Sequence, residues 1–285
     1  MKTSKHIKWL VALLVAGAFG AAQAGVITIF TDTFDDATTG AWHSGGTAGT
    51  LTNTLAAPNG NGQLSWTTGG TGMSQVIGRS FSTATLAETG DWIELTFDYT
   101  RTAGNLGILR VGLFNLEDPI GANDWSNDSD NAWSGYYTFI RDNGSNNARV
   151  DFQDGMAVPG GGTGYNSSIL NGPTFAGGEM TVTEGGGTNT TVAQNTQYQV
   201  SYLVTRTATG VETLFTLSQG ATTLYSVAAN DTRTFPDFNT VAMRVSDGTV
   251  LFDNMQVTVI PEPGTAGLMA IFAGAALLLR RRLRK

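Results

Sequence analysis

Apolar and polar residues alternate along most of the chain, and the alternation has period two. It is clearest in QVIGRSF (75–81), DWIELTFDYT (91–100), GILRVGLFN (107–115), YQVSYLVTR (198–206), ETLFTLS (212–218) and TVLFDNMQVTV (249–259). Successive side chains of an extended backbone point to opposite faces, so period two marks a half-buried strand. In DWIELTFDYT, Ile93, Leu95, Phe97 and Tyr99 fall on one face and are assigned to the core, while Trp92, Glu94, Thr96 and Asp98 fall on the other. Turn dipeptides separate the runs: Asn59-Gly60, Asn61-Gly62, Asn143-Gly144, Asn171-Gly172 and Asp247-Gly248. No convincing apolar period of 3.6 occurs between residues 25 and 260, so helical crossovers for parallel units are absent from the pattern. The pattern predicts about a dozen strands in one antiparallel jelly-roll β-sandwich. The Gly-rich stretch 155–190 reads as long loops with a brief strand near Met180–Thr183. Two similar stretches, YTRTAG (99–104) and VTRTATG (204–210), both read as hairpin tips.

The two ends break this pattern. At the start, Lys2, Lys5 and Lys8 precede an apolar run from Trp9 to Phe19, and Ala22-Gln23-Ala24 comes next as a small-x-small site. This is the layout of a secretory signal peptide, with a signal helix over residues 1–24 and cleavage expected after Ala24. At the other end, Ala266–Leu279 is an apolar segment of 14 residues. As a helix it reaches about 21 Å, short of the ~30 Å hydrocarbon core, though it can span by thinning the bilayer. Pro261 and Pro263 keep that helix from extending backward. The arginines Arg280, Arg281, Arg282 and Arg284, with Lys285, hold its far end in the cytoplasm. The domain between the ends then lies across the inner membrane, at the cell surface or outside it.

Pro261-Glu262-Pro263, the apolar helix and the arginine cluster, in that order, resemble a PEP-CTERM sorting signal over residues 261–285. The resemblance implies transient anchoring in the inner membrane and cutting near Pro261-Glu262-Pro263 by an exosortase, a membrane-embedded thiol transpeptidase. It further implies a Gram-negative bacterium with a secreted polysaccharide system. A second resemblance covers the exported domain, 25–260. FTDTFDD near its start, QYQVSYLVTRTATG, and DGTVLFDNMQVTV at its end are similar to a concanavalin A-like lectin/glucanase sandwich. That likeness implies the fold more than any activity.

Charge sharpens the picture. All lysines lie in the two terminal segments, and residues 25–264 hold 8 arginines against 23 acids, or 8 − 23 = −15. Nucleic-acid binding wants a cationic footprint, so it is set aside. With no cysteine, neither disulfides nor thiolate chemistry is available. His43 is the one histidine outside the signal segment, which leaves little material for histidine-based zinc sites or acid–base triads. The glucanase relatives carry their acids as E-x-D-x-x-E on one strand, and no such pattern occurs. Glu94 and Asp98 come nearest, at the wrong spacing. The chain is therefore read as non-enzymatic. The alternative is a secreted glycan-active hydrolase of the lectin/glucanase fold with a non-standard carboxylate pair.

Calcium would want several oxygen ligands. Two places offer them: Asp32, Asp35 and Asp36 with Asp253 and Asn254, if the first and last strands lie side by side; and Asp118, Asp124, Asp128 and Asp130 in DPIGANDWSNDSDNAWSG (118–135). The same acids would equally serve to solubilise loops and end strands. Around that loop Trp125, Trp133, Tyr136 and Tyr137 could stack on sugar faces, with polysaccharide as the partner. Tyr137 and Phe139 also read as alternate core positions, and Trp42, Trp66 and Trp92 read as core.

Overall fold

In the computed structural model of the chain, the residues described are 25–36, 38–45, 49–55, 62–68, 76–104, 108–117, 120, 133–141, 149–155, 192–232, 235–245 and 248–260. The expected signal segment, the expected sorting tail and its expected short helix, and the strand expected near Met180 lie outside them. The chain divides into two units, Thr28–Val259 and a second made of the ends Met1–Ile27 and Ile260–Lys285. The first unit is the sandwich.

Its strands are β1 (Ile27–Asp32), β2 (His43–Gly45), β3 (Gly49–Leu55), β4 (Gly62–Thr68), β5 (Val76–Thr85), β6 (Trp92–Ala103) and β7 (Ile108–Leu116). They continue as β8 (Trp133–Arg141), β9 (Arg149–Gly155), β10 (Gln197–Thr207), β11 (Gly210–Gln219), β12 (Thr222–Asp231), β13 (Asp237–Val245) and β14 (Thr249–Ile260). An eight-stranded sheet runs β12-β11-β10-β6-β14-β4-β3, with β1 joined to β14, and a six-stranded sheet runs β2-β5-β13-β7-β8-β9. Every pairing of the six-stranded sheet is antiparallel. So are β12–β11, β11–β10, β10–β6, β14–β4 and β4–β3 in the larger one.

Each of the six period-two runs becomes a strand. In β6 the alternation is complete: Ile93, Leu95, Phe97 and Tyr99 are buried, and the intervening residues are half-exposed. The same parity holds in β10, where Tyr198, Val200, Tyr202 and Val204 point inward. Facing them from the six-stranded sheet are Leu109, Val111, Leu113, Tyr136, Val241 and Met243, all in one apolar cluster. Aromatic edges lock β6 to β14, with Phe97 and Phe252 rings 5.7 Å apart at 70°.

Two readings from periodicity need correction. VTRTATG is a hairpin tip, since Thr207 pairs with Gly210 across the β10–β11 turn. YTRTAG is not: β6 lies in the eight-stranded sheet and β7 in the six-stranded one, so Gly104 (φ 101) begins a crossing between sheets. The two stretches are alike in sequence, yet one turns back within its sheet and the other leaves it. Trp42 and Trp66 are buried as expected, but Trp92 is half-exposed on the outward parity of β6.

Candidate functional site

The two sheets treat their outer faces differently. Strands of the eight-stranded sheet alternate buried and half-exposed positions, the ordinary state of an antiparallel sheet with one wet face. The six-stranded sheet does not. From Thr240 to Val245, β13 is buried without a break. Val76, Phe114, Leu116, Ile120, Tyr137 and Ala242 form a second apolar cluster, on the parity opposite to the main core.

This outer layer is built by the chain that leaves β7. The Asn239 side chain clamps Leu116 from both sides: Leu116 N donates to its Oδ1 (2.9 Å) and its Nδ2 donates to the Leu116 carbonyl (2.8 Å). Ile120 N donates to Ser80 Oγ at 2.9 Å, which ties Ile120 to β5. Gly112 and Gly135 make room for this layer. A Cβ on Gly112 would lie 2.3 Å from the Phe114 ring, and one on Gly135 would lie 2.3 Å from the Leu113 carbonyl oxygen.

Beyond the apolar patch, the same face turns cationic. Arg244 of β13 and Arg110 of β7 are directly opposite in register. Arg244 is only 4% exposed, whereas Arg110 is half-buried. Burial first, and the Arg110 charge second, bring the Arg244 guanidinium down to about 10, against an opposing influence of Tyr137. Arg110 is opposite Phe139 of β8, and Phe139 is opposite Arg149 of β9.

A second polar cluster gathers where the chain ends of the sandwich meet. As expected, β1 lies beside β14. Asp253 accepts from the Asn254 N–H at 2.7 Å, and Asn254 Nδ2 donates to Asp98 Oδ2 at 2.8 Å. Asn254 sits at φ 49 within β14, and the inward parity slips there from Phe252 to Met255. Burial, then the charges of Asp98 and Asp35, raise the Asp253 carboxyl above its ordinary range, against the Asn254 bond. Asp35 moves the other way: bonds from Thr33 and from the Gly62 N–H (3.0 Å) hold its carboxyl below that range. Close approach explains the glycine, since a Cβ on Gly62 would lie 1.6 Å from the Phe34 carbonyl oxygen.

Asp253 thus feels the Asp35 charge and accepts from Asn254. Among the described residues, however, no three His, Cys, Asp or Glu side chains gather as a set of metal ligands. Asp32, grouped with them from sequence, is used otherwise. Its Oδ2 accepts from Arg79 (2.7 Å) and from Trp42 Nε1 (3.0 Å), tying β1 to the six-stranded sheet. The Arg79 guanidinium also covers the Phe30 ring at 4.2 Å.

Of the aromatic candidates for sugar stacking, Tyr136 is 1% exposed and packs against Phe235 and Phe238 at 6.1 and 6.3 Å. A stacking platform must be wet on one face, so Tyr136 belongs to the core. Trp133 opens β8 opposite Leu116. Trp125 lies outside the described residues, as do Asp118, Asp124, Asp128 and Asp130. So do the residues expected for signal cleavage, Ala22 and Ala24, and those expected for sorting, Pro261, Glu262, Pro263, Arg280, Arg281 and Arg282. Glu94 and Asp98 are engaged on the outward parity of β6, Glu94 with Ser201 Oγ at 2.7 Å and Asp98 with Asn254. Sequence reasoning misses the facing arginines. The available signal is their recurrence on polar parity near strand ends, but register alone brings them together.

No family model matches the chain, and no curated protein matches it. Solved structures are similar in outline. A Bacillus subtilis protein of unknown function with a galectin-like fold matches at TM-score 0.45 and 7% identity, over 85% of this chain and 100% of that one. A carbohydrate esterase of the Shiga toxin-encoding bacteriophage phi24B matches at TM-score 0.44 and 11% identity, over 82% and 99%. Peanut lectin matches at TM-score 0.41 and 8% identity, over 83% and 98%.

Proposed function

We infer that the chain is an exported surface or extracellular-matrix protein, released from its tail by an exosortase, that binds polysaccharide without transforming it. The observation that carries the binding role is the outer face of the six-stranded sheet. That face carries a second apolar cluster and the half-buried Arg110, and in sequence the stretch between β7 and β8 is rich in Asn, Asp and Trp. Apolar surface beside a few convergent polar groups is the usual composition of a ligand site. Export and processing rest on the two ends of the sequence, where Ala22-Gln23-Ala24 and Pro261-Glu262-Pro263 mark the cuts.

Intact-mass analysis of the protein from its native host, with and without the exosortase gene, tests the processing. The expected mass runs from Gly25 to near Glu262, and only in the strain that has the exosortase. A tail retained through Lys285 in both strains would make the segment a plain anchor and remove the matrix assignment. A glycan array with the same material tests the binding, and an array with no signal would remove that part.

A further inference from the structure

We propose that the outer face of the eight-stranded sheet binds a linear amino-sugar polysaccharide, its rings lying along Trp92, Leu203 and Leu214 and its ammonium groups meeting Glu94 and Glu212. The inference rests on the polysaccharide reading above. It adds a face on the opposite sheet and narrows the ligand there to a cationic glycan.

The site arises from parity and register. β6, β10 and β11 send alternate residues inward to the core and the others outward. On the outward side Trp92 is opposite Thr205, and Thr205 is opposite Glu212. Two residues along the strands, Glu94 is opposite Leu203, and Leu203 is opposite Leu214. Trp92 and Leu203 are therefore diagonal neighbours, within reach of a large side chain. With Leu214 they form an apolar track that crosses three strands obliquely, with Glu94 on one flank and Glu212 on the other. Trp92, Leu203 and Leu214 are half-exposed, and Glu212 is exposed. Strand spacing and rise make the track roughly 12 Å long, more than a single sugar ring. The Ser201 hydroxyl donates to Glu94 Oε1 at 2.7 Å, which holds that carboxylate on this face.

Charge selects the occupant. Among the described residues, no Lys or Arg stands at an outward position of β6, β10, β11 or β12. Residues 25–264 as a whole carry 23 acids, 8 arginines and no lysine. A cationic ligand is thus drawn by the local and the overall charge alike. Carboxylates hold ammonium groups through charge-assisted hydrogen bonds. An indole face attracts a cation and also packs on the apolar face of a sugar ring. Track and carboxylates together match a chain that repeats both a ring face and an ammonium group. A second copy of this chain fits less well, since stacking two such faces brings carboxylates against carboxylates. Nucleic acid and acidic glycans are repelled for the same reason. A lysine-rich peptide meets the charge but has no ring to lay on the track, so it is the competitor in the test.

The test uses the full chain in mild detergent at about pH 5.5, where carboxylates are ionised and glucosamine amines are protonated. Three immobilised probes are compared: a chitosan oligosaccharide, the same oligosaccharide fully N-acetylated, and poly-L-lysine. The chitosan oligosaccharide is expected to bind, more weakly as salt rises, with its neutral N-acetylated form bound at least about tenfold less tightly. Trp92→Ala and Glu212→Gln are each expected to weaken chitosan binding about tenfold. Glu117→Gln removes the same charge from an exposed place beyond β7 and is expected to leave it unchanged. Thermal melts identify any variant that fails to fold, and the exposed Glu212 keeps the test decisive if Trp92→Ala does. Chitosan binding that neither variant weakens overturns the inference in favour of attraction by overall charge. Equal binding of the N-acetylated form overturns the amino-sugar assignment and leaves the general polysaccharide reading standing. Poly-L-lysine held as tightly and weakened equally by Trp92→Ala overturns the glycan assignment in favour of a cationic peptide. Chitosan left unbound while the glycan array gives a signal overturns this inference alone, and silence in both overturns both.

Discussion

Asp32 and Asp253 are both aspartates near the meeting of the first and last strands, yet their surroundings give them opposite roles. Asp32 accepts from Arg79 and Trp42 across the two sheets, with ion-pair side chains only 16–20% exposed. Removing it strands a guanidinium and an indole N–H in a partly buried place. Asp32→Ala is therefore expected to cost about 2–4 kcal/mol, measured by urea unfolding. Asp253 is the reverse case. Its folded carboxyl titrates above the ordinary value because burial and the charges of Asp98 and Asp35 disfavour the ionised form. Its contribution thus favours the fold below the unfolded pKa and is lost as pH rises through the folded pKa. Asp253→Asn keeps an oxygen for the Asn254 N–H, so it is expected to raise the melting temperature at pH 7. At about pH 3, where both folded and unfolded carboxyls are protonated, the advantage disappears. Melts at the two pH values check this, and equal melting at pH 7 would refute it. Neither role is legible in the sequence, where both residues are simply acids near a chain end.

Among the elements, strands whose two faces meet unlike surroundings are legible, and strands buried on both faces are less so. β6 is readable residue by residue because one side meets the core and the other meets water. β8 is ambiguous, since Tyr136 and Tyr137 are both 1% exposed, one in the main core and the other in the outer layer. That is why Tyr136 reads as a sugar platform from sequence. Tyr136→Ala is expected to cost about 3–5 kcal/mol in denaturant unfolding, as a large ring packed on Phe235 and Phe238 leaves a cavity. A change within about 0.5 kcal/mol would mean that the ring lies outside the core.

For the molecule as a whole, the sequence by itself determined a great deal. Period-two runs separated by Asn-Gly and Asp-Gly turns leave an antiparallel sandwich as the architecture, because only a pleated strand sorts side chains at that interval. The signals proposed at the two ends, and the lack of lysine between those ends, are likewise properties of the linear order, since a signal of that kind is read along the chain rather than from a fold. Tertiary structure decided which strands share a sheet, and with that which distant residues meet. Arg110 and Arg244 are far apart in sequence and directly opposite in space. Asp98 bonds Asn254 across 156 residues. Periodicity states which face a residue takes within its own strand. Register between strands arises from the packing of both sheets around one core, and no local pattern carries it.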